Sequence, residues 1–465
     1  MKNLTVQDII TCTNGELIIG EKSGICNKFS KDTRTIQKGD MYIGIKGEKF
    51  DGNLFWKQAL DNGAMGVIVQ DIKFEAEDLD KYSDKVIIQV KDTLDCLYKI
   101  ASYKRQLYDV PVVAITGSVG KTSTKDIVAN VVSQKYNTVK TIGNNNNNIG
   151  LPFTILNAPT DIEAMVLEMG MNHFGEIHLL SEIAKPNICI VTNIGTSHIG
   201  NLGSRENILK AKLEILDGAE DPYIVINNDN DLLHRWYEEN KSTKKIKTYG
   251  IYEESDIHAK DLVIQEEESS YKVSLMGKEE KMIVPVGGEH FVLNSLCAIA
   301  IGEILNIEIS DIKKGIETFQ LTKNRMEIIE CKDGIKIIND AYNSSVESIK
   351  ASLAYMKHIN ADRRIAVLGD VLETGEFARE LHENIGKIVC ENSVDILICS
   401  GENAKYIVES AKKQGFDENH IYYFENKEEI VTLLKQIVQA KDVILFKASN
   451  GMRFFEIAEK FRKIL

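Results

Sequence analysis

The sequence predicts an α/β protein of three domains whose sheets are mostly parallel. Short apolar runs rich in β-branched residues alternate with helical segments along most of the chain. Such alternation is typical of parallel strands that are covered on both faces. The length of 465 residues also exceeds what one hydrophobic core usually organises. We expect domains at residues 1–108, 109–321 and 322–465.

The first two ranges differ in their strand patterns. Residues 1–108 are irregular and rich in glycine, with a helix expected near 55–62 and an apolar strand at 66–69, which indicates a small α/β domain. In the central range, helical segments such as 122–134 and 205–216 separate the strand patterns. This alternation predicts a parallel sheet, with strands at 110–116, 164–168, 188–192 and 223–227.

The last range predicts a smaller, Rossmann-like doubly wound domain. Helical segments at 346–357 and 381–391 lie between its strand patterns. Two open α/β sheets in series predict a ligand in the cleft between them. The strands are expected at 335–339, 364–368, 396–400 and 443–446.

Composition excludes several classes of function. The net charge of −13 argues against a nucleic-acid-binding surface. No apolar run approaches the roughly 20 residues that span a bilayer, so no membrane insertion is expected. The first residues lack the pattern of a signal peptide, which favours a cytoplasmic location. The eight cysteines are scattered without a Cys-x-x-Cys pair, so we expect reduced thiols.

The most specific local signal is a phosphate-binding loop, Thr-Gly-Ser-Val-Gly-Lys-Thr at 116–122. It follows a strand pattern and precedes a helix, so backbone amides and the helix N-terminus can surround phosphate oxygens. Lys121 supplies a positive charge, and the Thr122 hydroxyl can bind Mg²⁺. A glycine-rich turn without a ligand is the less favoured interpretation. We predict ATP binding by Thr116, Gly117, Ser118, Val119, Gly120, Lys121, Thr122 and Ser123.

The loop is shorter than usual, because Ile115 occupies the position of the first glycine of longer loops. In this it resembles the Mur ligase and folylpolyglutamate synthetase superfamily. Further motifs follow in the order of the Mur ligase family, and in particular of its D-alanyl-D-alanine-adding members. They lie at 30–34, 47–52, 141–152, 167–170, 192–198, 211–215, 339–343 and 368–373.

The resemblance implies an ATP-dependent ligase of cytoplasmic peptidoglycan synthesis. Such an enzyme transfers the γ-phosphoryl group of ATP to a carboxylate, and an amine then attacks the acyl phosphate. The implied substrates are UDP-MurNAc-tripeptide and D-Ala-D-Ala, with Mg²⁺ as cofactor and a monomer as the default state. The identity of the diamino acid in the tripeptide is left open.

The resemblance also assigns candidate site residues. For lone residues the ordinary interpretations are a solvated strand-end acid at Glu168, a structural histidine at His198 and a solvated helix lysine at Lys212. The family context instead makes Thr122, Glu168, His198 and carbamylated Lys212 metal ligands. The implied catalytic residues are Lys121, Glu168, His198, Lys212 and Arg325.

Further residues are assigned to ligands on the same basis. For the nucleotide they are Asn144, Asn294, Arg325 and Asp340. For the UDP-linked precursor and the amine they are Ser30, Thr33, Arg34, Gly47, Asn146, Asn147, Tyr342, Asn343 and Lys447.

Four positions depart from the family pattern: Asn53, Phe291, Val346 and Asn450. The absence of the family arginine at Asn450 keeps open a Mur-like ligase with another acyl or amine substrate. The motif at 30–34 argues against a folylpolyglutamate synthetase. A non-catalytic precursor-binding regulator is disfavoured because Lys121, Glu168, His198 and Lys212 are all present, and the short loop disfavours an unrelated P-loop hydrolase.

Overall fold

The structure is a computed structural model and describes residues 3–47, 50–322 and 324–465. Three larger sheets follow one another along the chain, and strands and helices alternate in each, as expected for an α/β protein. Within the described residues, no helix is long and apolar enough to cross a membrane. All eight cysteines are free thiols.

The N-terminal region contains a five-stranded sheet of order β2-β7-β6-β5-β4, parallel except for β2, and a small pairing of β1 with β3. The predicted strand at 66–69 coincides with β6. The elements are β1 (Leu4–Thr5), α1 (Val6–Thr13), β2 (Glu16–Ile19), β3 (Ile25–Cys26), β4 (Phe29–Ser30), β5 (Met41–Ile43), α2 (Trp56–Asp61), β6 (Gly66–Val69), α3 (Ala76–Lys81), β7 (Val86–Gln89) and α4 (Thr93–Gln106).

The central region contains a seven-stranded, fully parallel sheet of order β14-β13-β12-β11-β8-β10-β9. Its inner strands are buried apolar runs, because helices cover both faces. The elements are β8 (Val112–Thr116), α5 (Lys121–Val132), β9 (Thr138–Lys140), α6 (Gly150–Leu156), β10 (Ala164–Glu168), α7 (Glu176–Ala184), β11 (Ile188–Val191), α8 (Ile199–Leu202), α9 (Arg205–Leu213), β12 (Tyr223–Asn227), α10 (Asp231–Asn240), β13 (Lys245–Gly250) and β14 (Ile257–His258).

A three-stranded antiparallel sheet follows, which the sequence analysis did not predict. Its middle strand alternates buried Tyr271, Val273 and Leu275 with outward polar residues, the two-residue period of a half-buried strand. The elements are β15 (Lys260–Ile264), β16 (Ser269–Leu275), β17 (Lys278–Val284), α11 (Glu289–Ile304) and α12 (Ile309–Glu317).

The C-terminal region contains a six-stranded sheet of order β18-β19-β23-β20-β21-β22, parallel except for β18. The predicted strand at 396–400 coincides with β21, and the helix expected at 381–391 begins three residues earlier. The elements are β18 (Glu327–Glu330), β19 (Lys336–Asn339), α13 (Val346–Met356), β20 (Arg363–Gly369), α14 (Ala378–Glu391), β21 (Ile396–Ser400), α15 (Ala404–Lys413), β22 (Ile421–Phe424), α16 (Glu428–Ile437), β23 (Asp442–Lys447) and α17 (Phe454–Arg462).

Candidate active site

The carboxyl ends of the central parallel strands converge on one cavity of about 400 Å³. The glycine-rich loop follows β8, Glu168 ends β10, Asn193 follows β11 and Asn227 ends β12. Parallel strands deliver the residues after them to one edge of the sheet, where ligands of open α/β folds bind. The C-terminal region closes the opposite side of this cavity.

The glycines of the loop are required by its geometry. Gly120 has φ 83°, in the left-handed region that glycine adopts readily. A Cβ atom at Gly117 would lie 1.9 Å from Oγ1 of Thr192, so no side chain fits there.

Residues 192–197, which we call the clasp, hold the loop through several hydrogen bonds. The backbone N–H of Val119 donates to Oδ1 of Asn193 at 2.8 Å. The N–H of Gly195 donates to Oγ of Ser118 at 2.9 Å, and the hydroxyl of Thr192 donates to the carbonyl of Val119 at 2.8 Å. The loop is therefore fixed by the strand next to its own.

The pKa values of two lysines, Lys121 in the loop and Lys212 on α9, are both lowered by their surroundings. Lys121 donates to the carbonyl of Gly117 at 2.7 Å; burial lowers its pKa, opposed by the charge of Glu168 and reinforced by that of Arg325. Lys212 is 1% exposed. Burial, together with the charge of Lys121, holds the pKa of Lys212 well below its ordinary value. Burial therefore favours the neutral form of the Lys212 amine.

Glu168 is buried beside the loop, and only one of its two carboxylate oxygens is hydrogen-bonded to described residues. Its Oε1 accepts from Nδ2 of Asn146 at 2.7 Å and from Oγ1 of Thr122 at 3.3 Å. Its Oε2 has no hydrogen-bond partner among the described residues, although Nζ of Lys125 lies 3.9 Å away. A buried carboxylate oxygen without a partner, beside a hydroxyl oxygen, fits the hard oxygen donors that Mg²⁺ prefers.

His198 lies on the same cavity but contacts the C-terminal region. Its Nδ1 is 2.5 Å from Oε2 of Glu373, a contact that lowers the pKa of the Glu373 carboxyl. Both residues have positive φ, 65° and 60°. In the parts of the chain that the structure describes, no three His, Cys, Asp or Glu side chains form a metal-binding group. Glu168 and His198 would thus need other donors to complete a metal site.

The C-terminal region contributes an arginine that reaches the loop. Nη2 of Arg325 donates to Oγ1 of Thr122 at 3.1 Å, and its guanidinium stacks over the ring of Tyr342 at 4.2 Å. Its buried Nε has no partner among the described residues. Guanidinium groups suit planar oxyanions such as phosphate. Arg325 is therefore placed to contact a phosphoryl group bound by the loop.

Asp340 and Lys447 form a buried ion pair at the floor of the cavity. Asp340 also accepts from the hydroxyl of Ser352 at 2.7 Å. Burial lowers the pKa of Lys447, and the neighbouring Asp340 opposes this. Lys447 was predicted to face the amine substrate, and the structure places it against Asp340 in the larger cavity.

The far end of the cavity is lined by α11. Oδ1 of Asn294 accepts from the hydroxyl of Thr124 at 2.9 Å, next to the start of α5. His290 lies beside it, and burial lowers its pKa to about 4. Phe291, where the family has a polar residue, is buried and packs near Phe319 at 6.3 Å between ring centroids.

A second cavity of about 270 Å³ adjoins the first. The two cavities share His198 and Asn343. Glu373 and Asn450 line only the smaller one. Nδ2 of Asn450 donates to the carbonyl of Tyr342 at 2.9 Å, so the residue in place of the family arginine supports the backbone of this wall.

The predicted precursor-binding residues of the N-terminal region lie outside both cavities. Arg34 is exposed and paired with Asp32, whose pKa it lowers to about 2. The hydroxyl of Thr33 donates to Oε1 of Gln58, Ser30 bonds locally to Asp32, and the N–H of Gly47 donates to the carbonyl of Phe50.

Most of the residues predicted to bind nucleotide or metal line the larger cavity, and a few do not. Thr116 and Gly117 stand at the start of the loop and Lys212 is buried on α9; none of the three lines either cavity. The predicted residues that line the larger cavity are Ser118, Val119, Gly120, Lys121, Thr122, Ser123, Asn144, Asn146, Asn147, Glu168, His198, Asn294, Arg325, Asp340, Tyr342, Asn343 and Lys447.

Sequence reasoning missed several cavity residues. Asn193 and Ser197 stand within the motif at 192–198, Asn227 ends a predicted strand, and Glu373 ends the motif at 368–373. The available signal was a strand end for Asn193 and Asn227, and membership of a motif for Ser197 and Glu373. Val346, where the family has proline, begins α13, a helix position that proline favours but that other residues also occupy.

Comparisons with known proteins match three domains of one family. The Mur ligase family catalytic domain matches residues 29–105, the Mur ligase middle domain 115–302 and the Mur ligase glutamate ligase domain 324–450. The chain is 35% identical to the UDP-N-acetylmuramoyl-tripeptide–D-alanyl-D-alanine ligase of Bacillus subtilis, over 98% of this chain and 97% of the relative.

Two solved structures match this chain over nearly its whole length. MurF from Acinetobacter baumannii superposes with a TM-score of 0.88 at 27% identity, covering 99% of each chain. MurF from Thermotoga maritima in complex with ADP gives 0.81 at 28% identity, covering 94% of this chain and 97% of the other.

Proposed function

Because the chain belongs to the Mur ligase family, we propose that it joins D-alanyl-D-alanine to UDP-N-acetylmuramoyl-tripeptide with cleavage of ATP to ADP and phosphate. One observation carries this most directly. The phosphate loop and Arg325 face one cavity from opposite regions of a chain that is similar, over nearly its full length, to ligases named for this reaction.

The chemistry follows from the arrangement of charge around the loop. Lys121 and the N-terminus of α5 hold the phosphates of ATP, and Arg325 stabilises the charge that develops on the γ-phosphoryl group. Transfer of that group to the tripeptide carboxylate gives an acyl phosphate and ADP. The amine of D-alanyl-D-alanine attacks the acyl carbon, the bond to phosphate breaks, and the amine loses a proton.

Mg²⁺ fits the oxygen donors beside the loop. Thr122 and Glu168 would hold it, with His198 and a carbamate on Lys212 as further predicted ligands. When bound, the ion neutralises charge on the phosphate oxygens. Asn146 keeps the Glu168 carboxylate oriented for this role.

The smaller cavity is the place we propose for the dipeptide amine. It opens onto the larger cavity through His198 and Asn343, so an amine there can reach a carboxyl group beside the loop. Glu373 is its single carboxylate among the described residues and faces a positively charged amine favourably. Asn450 lines the same wall in place of the family arginine, so the amine substrate is the part of the reaction that most needs a direct test.

The remaining parts of the proposal concern organisation. We propose domains at 1–108, 109–321 and 322–465, with the precursor's UDP group bound by the first through Ser30, Thr33, Arg34 and Gly47. The enzyme would act as a monomer in the cytoplasm.

The test is ATP-dependent release of phosphate with UDP-N-acetylmuramoyl-tripeptide, with and without D-alanyl-D-alanine, and product identification by mass. We expect turnover only with both substrates, and its loss in Lys121→Ala but not in Lys99→Ala, which alters an exposed lysine of α4. Turnover with a different amine or acid would keep the ligase chemistry and replace the substrate. Nucleotide binding without turnover on any precursor would refute the ligase.

A further inference from the structure

The clasp that holds the phosphate loop is also hydrogen-bonded to a residue of the C-terminal region. Glu347 lies in the first turn of α13, and its carboxylate accepts from the N–H of Thr196 at 2.8 Å and from the hydroxyl of Thr196 at 3.2 Å. Hydrogen bonds to an ionised carboxylate are among the stronger ones in proteins. This contact joins residues 151 positions apart in sequence.

A glycine of the clasp leaves room for this carboxylate. A Cβ atom at Gly195 would lie 2.6 Å from Cδ of Glu347, so any side chain there would displace the glutamate. Arg205 stands nearby and donates to the carbonyl of Ile194 at 2.8 Å. The pKa of Arg205 is raised mainly by its hydrogen bond to Asp231 and further by the charge of Glu347.

The same residues of the clasp carry the loop on their other side. The N–H of Gly195 donates to Oγ of Ser118 at 2.9 Å, and the hydroxyl of Ser197 donates to the carbonyl of Ser118 at 3.3 Å. Glu347 and the phosphate loop therefore hold neighbouring atoms of one short segment. The amides that bind Ser118 and Glu347 belong to adjacent residues, Gly195 and Thr196.

A second close contact between the two regions lies next to the first. The N–H of Gly200 donates to the carbonyl of Glu373 at 3.1 Å. A Cβ atom at Gly375 would be 2.9 Å from Cα of Gly200, so the two backbones touch. The C-terminal region thus contacts both the clasp and helix α8, which follows it.

We propose that Glu347 is a positioning residue, which couples docking of the C-terminal domain on the central domain to the placement of Arg325 at the phosphate loop. When Glu347 binds Thr196, the C-terminal domain lies against the clasp and Arg325 reaches Thr122. Without the contact between Glu347 and Thr196, ATP still binds to the loop, but the C-terminal domain no longer holds Arg325 close to Thr122. This inference rests on the proposed ligase function for its turnover readout only.

The experiment compares the wild type with Glu347→Ala, Gly195→Ala and the control Glu380→Ala. Glu380 is an exposed glutamate in the first turn of α14, in the same domain. We expect kcat to fall about tenfold to a hundredfold in both test variants, as loss of a charge-assisted contact implies, while the Kd for ADP with Mg²⁺ stays within about twofold. Small-angle X-ray scattering with ADP and Mg²⁺ should show both test variants more extended than the wild type and the control.

Two further variants sharpen the result. Glu347→Gln keeps an acceptor oxygen and should retain part of the turnover. The double variant Gly195→Ala/Glu347→Ala should be no worse than either single variant, because both remove one contact.

Wild-type turnover and scattering in Glu347→Ala and Gly195→Ala would overturn the proposal. So would a loss confined to Glu347→Ala and accompanied by a lower melting temperature, which would indicate a role in the stability of α13. If the wild type does not turn over with the proposed substrates, the proposed function fails, and the scattering comparison still decides the role of Glu347.

Discussion

At the scale of single residues, the lysines of this protein differ in what burial does to them. Lys104 and Lys212 are each 1% exposed. Lys104 donates to the carbonyl of Leu156 at 2.8 Å, and burial lowers its pKa to about 8. Lys212 instead lies near Lys121, whose positive charge would stabilise an anion on it. Burial alone therefore does not distinguish Lys212 from Lys104. The positive charge of Lys121 beside Lys212 does.

We predict that Lys212 forms a carbamate and Lys104 does not. The neutral amine of Lys212 attacks CO₂, a nitrogen–carbon bond forms and the nitrogen loses a proton. The wild type in ¹³C-labelled bicarbonate should give a carbamate carbon signal by NMR. The signal should vanish in Lys212→Ala and persist in Lys104→Ala. A signal that survives Lys212→Ala would assign the modification elsewhere.

The pKa of His290 predicts how acid affects stability. The folded protein binds the His290 proton only near pH 4, whereas the unfolded chain binds it near its ordinary value of 6.5. Between these values the unfolded state holds more protons, so the free energy of unfolding decreases as the pH falls, by at most about 1.4 kcal/mol per pH unit. Denaturant unfolding of His290→Gln at about pH 7 and pH 5 should show a smaller decrease than the wild type. The same decrease in His290→Gln, or a smaller one in the exposed His358→Gln, would contradict this.

At the scale of elements, the loops that follow the central strands bring several side chains of the site together. The loop at 141–149 carries Asn146 to Glu168, and it ends where Oδ1 of Asn147 accepts from the amides of Ile149 and Gly150 at 3.2 and 2.8 Å. These amides lie at the start of α6, where backbone donors otherwise have no partner in the helix. Asn147 was predicted to bind substrate; it lines the larger cavity, and its side-chain hydrogen bonds form an Asx turn that leads into α6.

We predict that Asn147→Ala lowers the free energy of unfolding by about 1 kcal/mol, because the amides of Ile149 and Gly150 lose their acceptor. Asn147→Asp keeps the acceptor oxygen and should be nearly neutral. Thermal unfolding of both variants measures this. A substrate-binding role would instead raise the KM for the precursor in Asn147→Asp with stability unchanged.

At the scale of the whole molecule, the site exists only where regions meet. Arg325 comes from the C-terminal side and Thr122 from the central sheet, and their contact spans 203 positions. The N-terminal region is joined to the central one differently, through paired hydrogen bonds between Asn157 and the backbone of Phe29 at 2.8 and 3.0 Å.

We predict that Arg325→Ala lowers kcat about a hundredfold or more, because a preorganised charge at the phosphoryl group is lost. Arg325→Lys should recover only part, since lysine lacks the planar fork. The matched control is Arg379→Ala, because Arg379 also stacks on a tyrosine of this domain, Tyr406, but on the surface. Equal effects of Arg325→Ala and Arg379→Ala would contradict a role at the phosphate.

The sequence by itself determined the α/β class, most strand positions and the phosphate loop. These features depend on residues close together in the chain: the apolar runs of β10 and β12, and the glycines that a tight turn needs. The three antiparallel strands at 260–284 were not predicted, although the alternation in β16 is visible, because their apolar residues alternate with polar ones and form no continuous apolar run.

Only the tertiary structure decided which distant residues meet. Spacing along the chain could not show that Glu347 seats on Thr196, that Glu373 contacts His198, or that Lys447 pairs with Asp340. Each contact joins elements from different strands or domains, and its partners are chosen by how sheets pack and dock. Local patterns specify the parts of this site, and the packing of its domains specifies their arrangement.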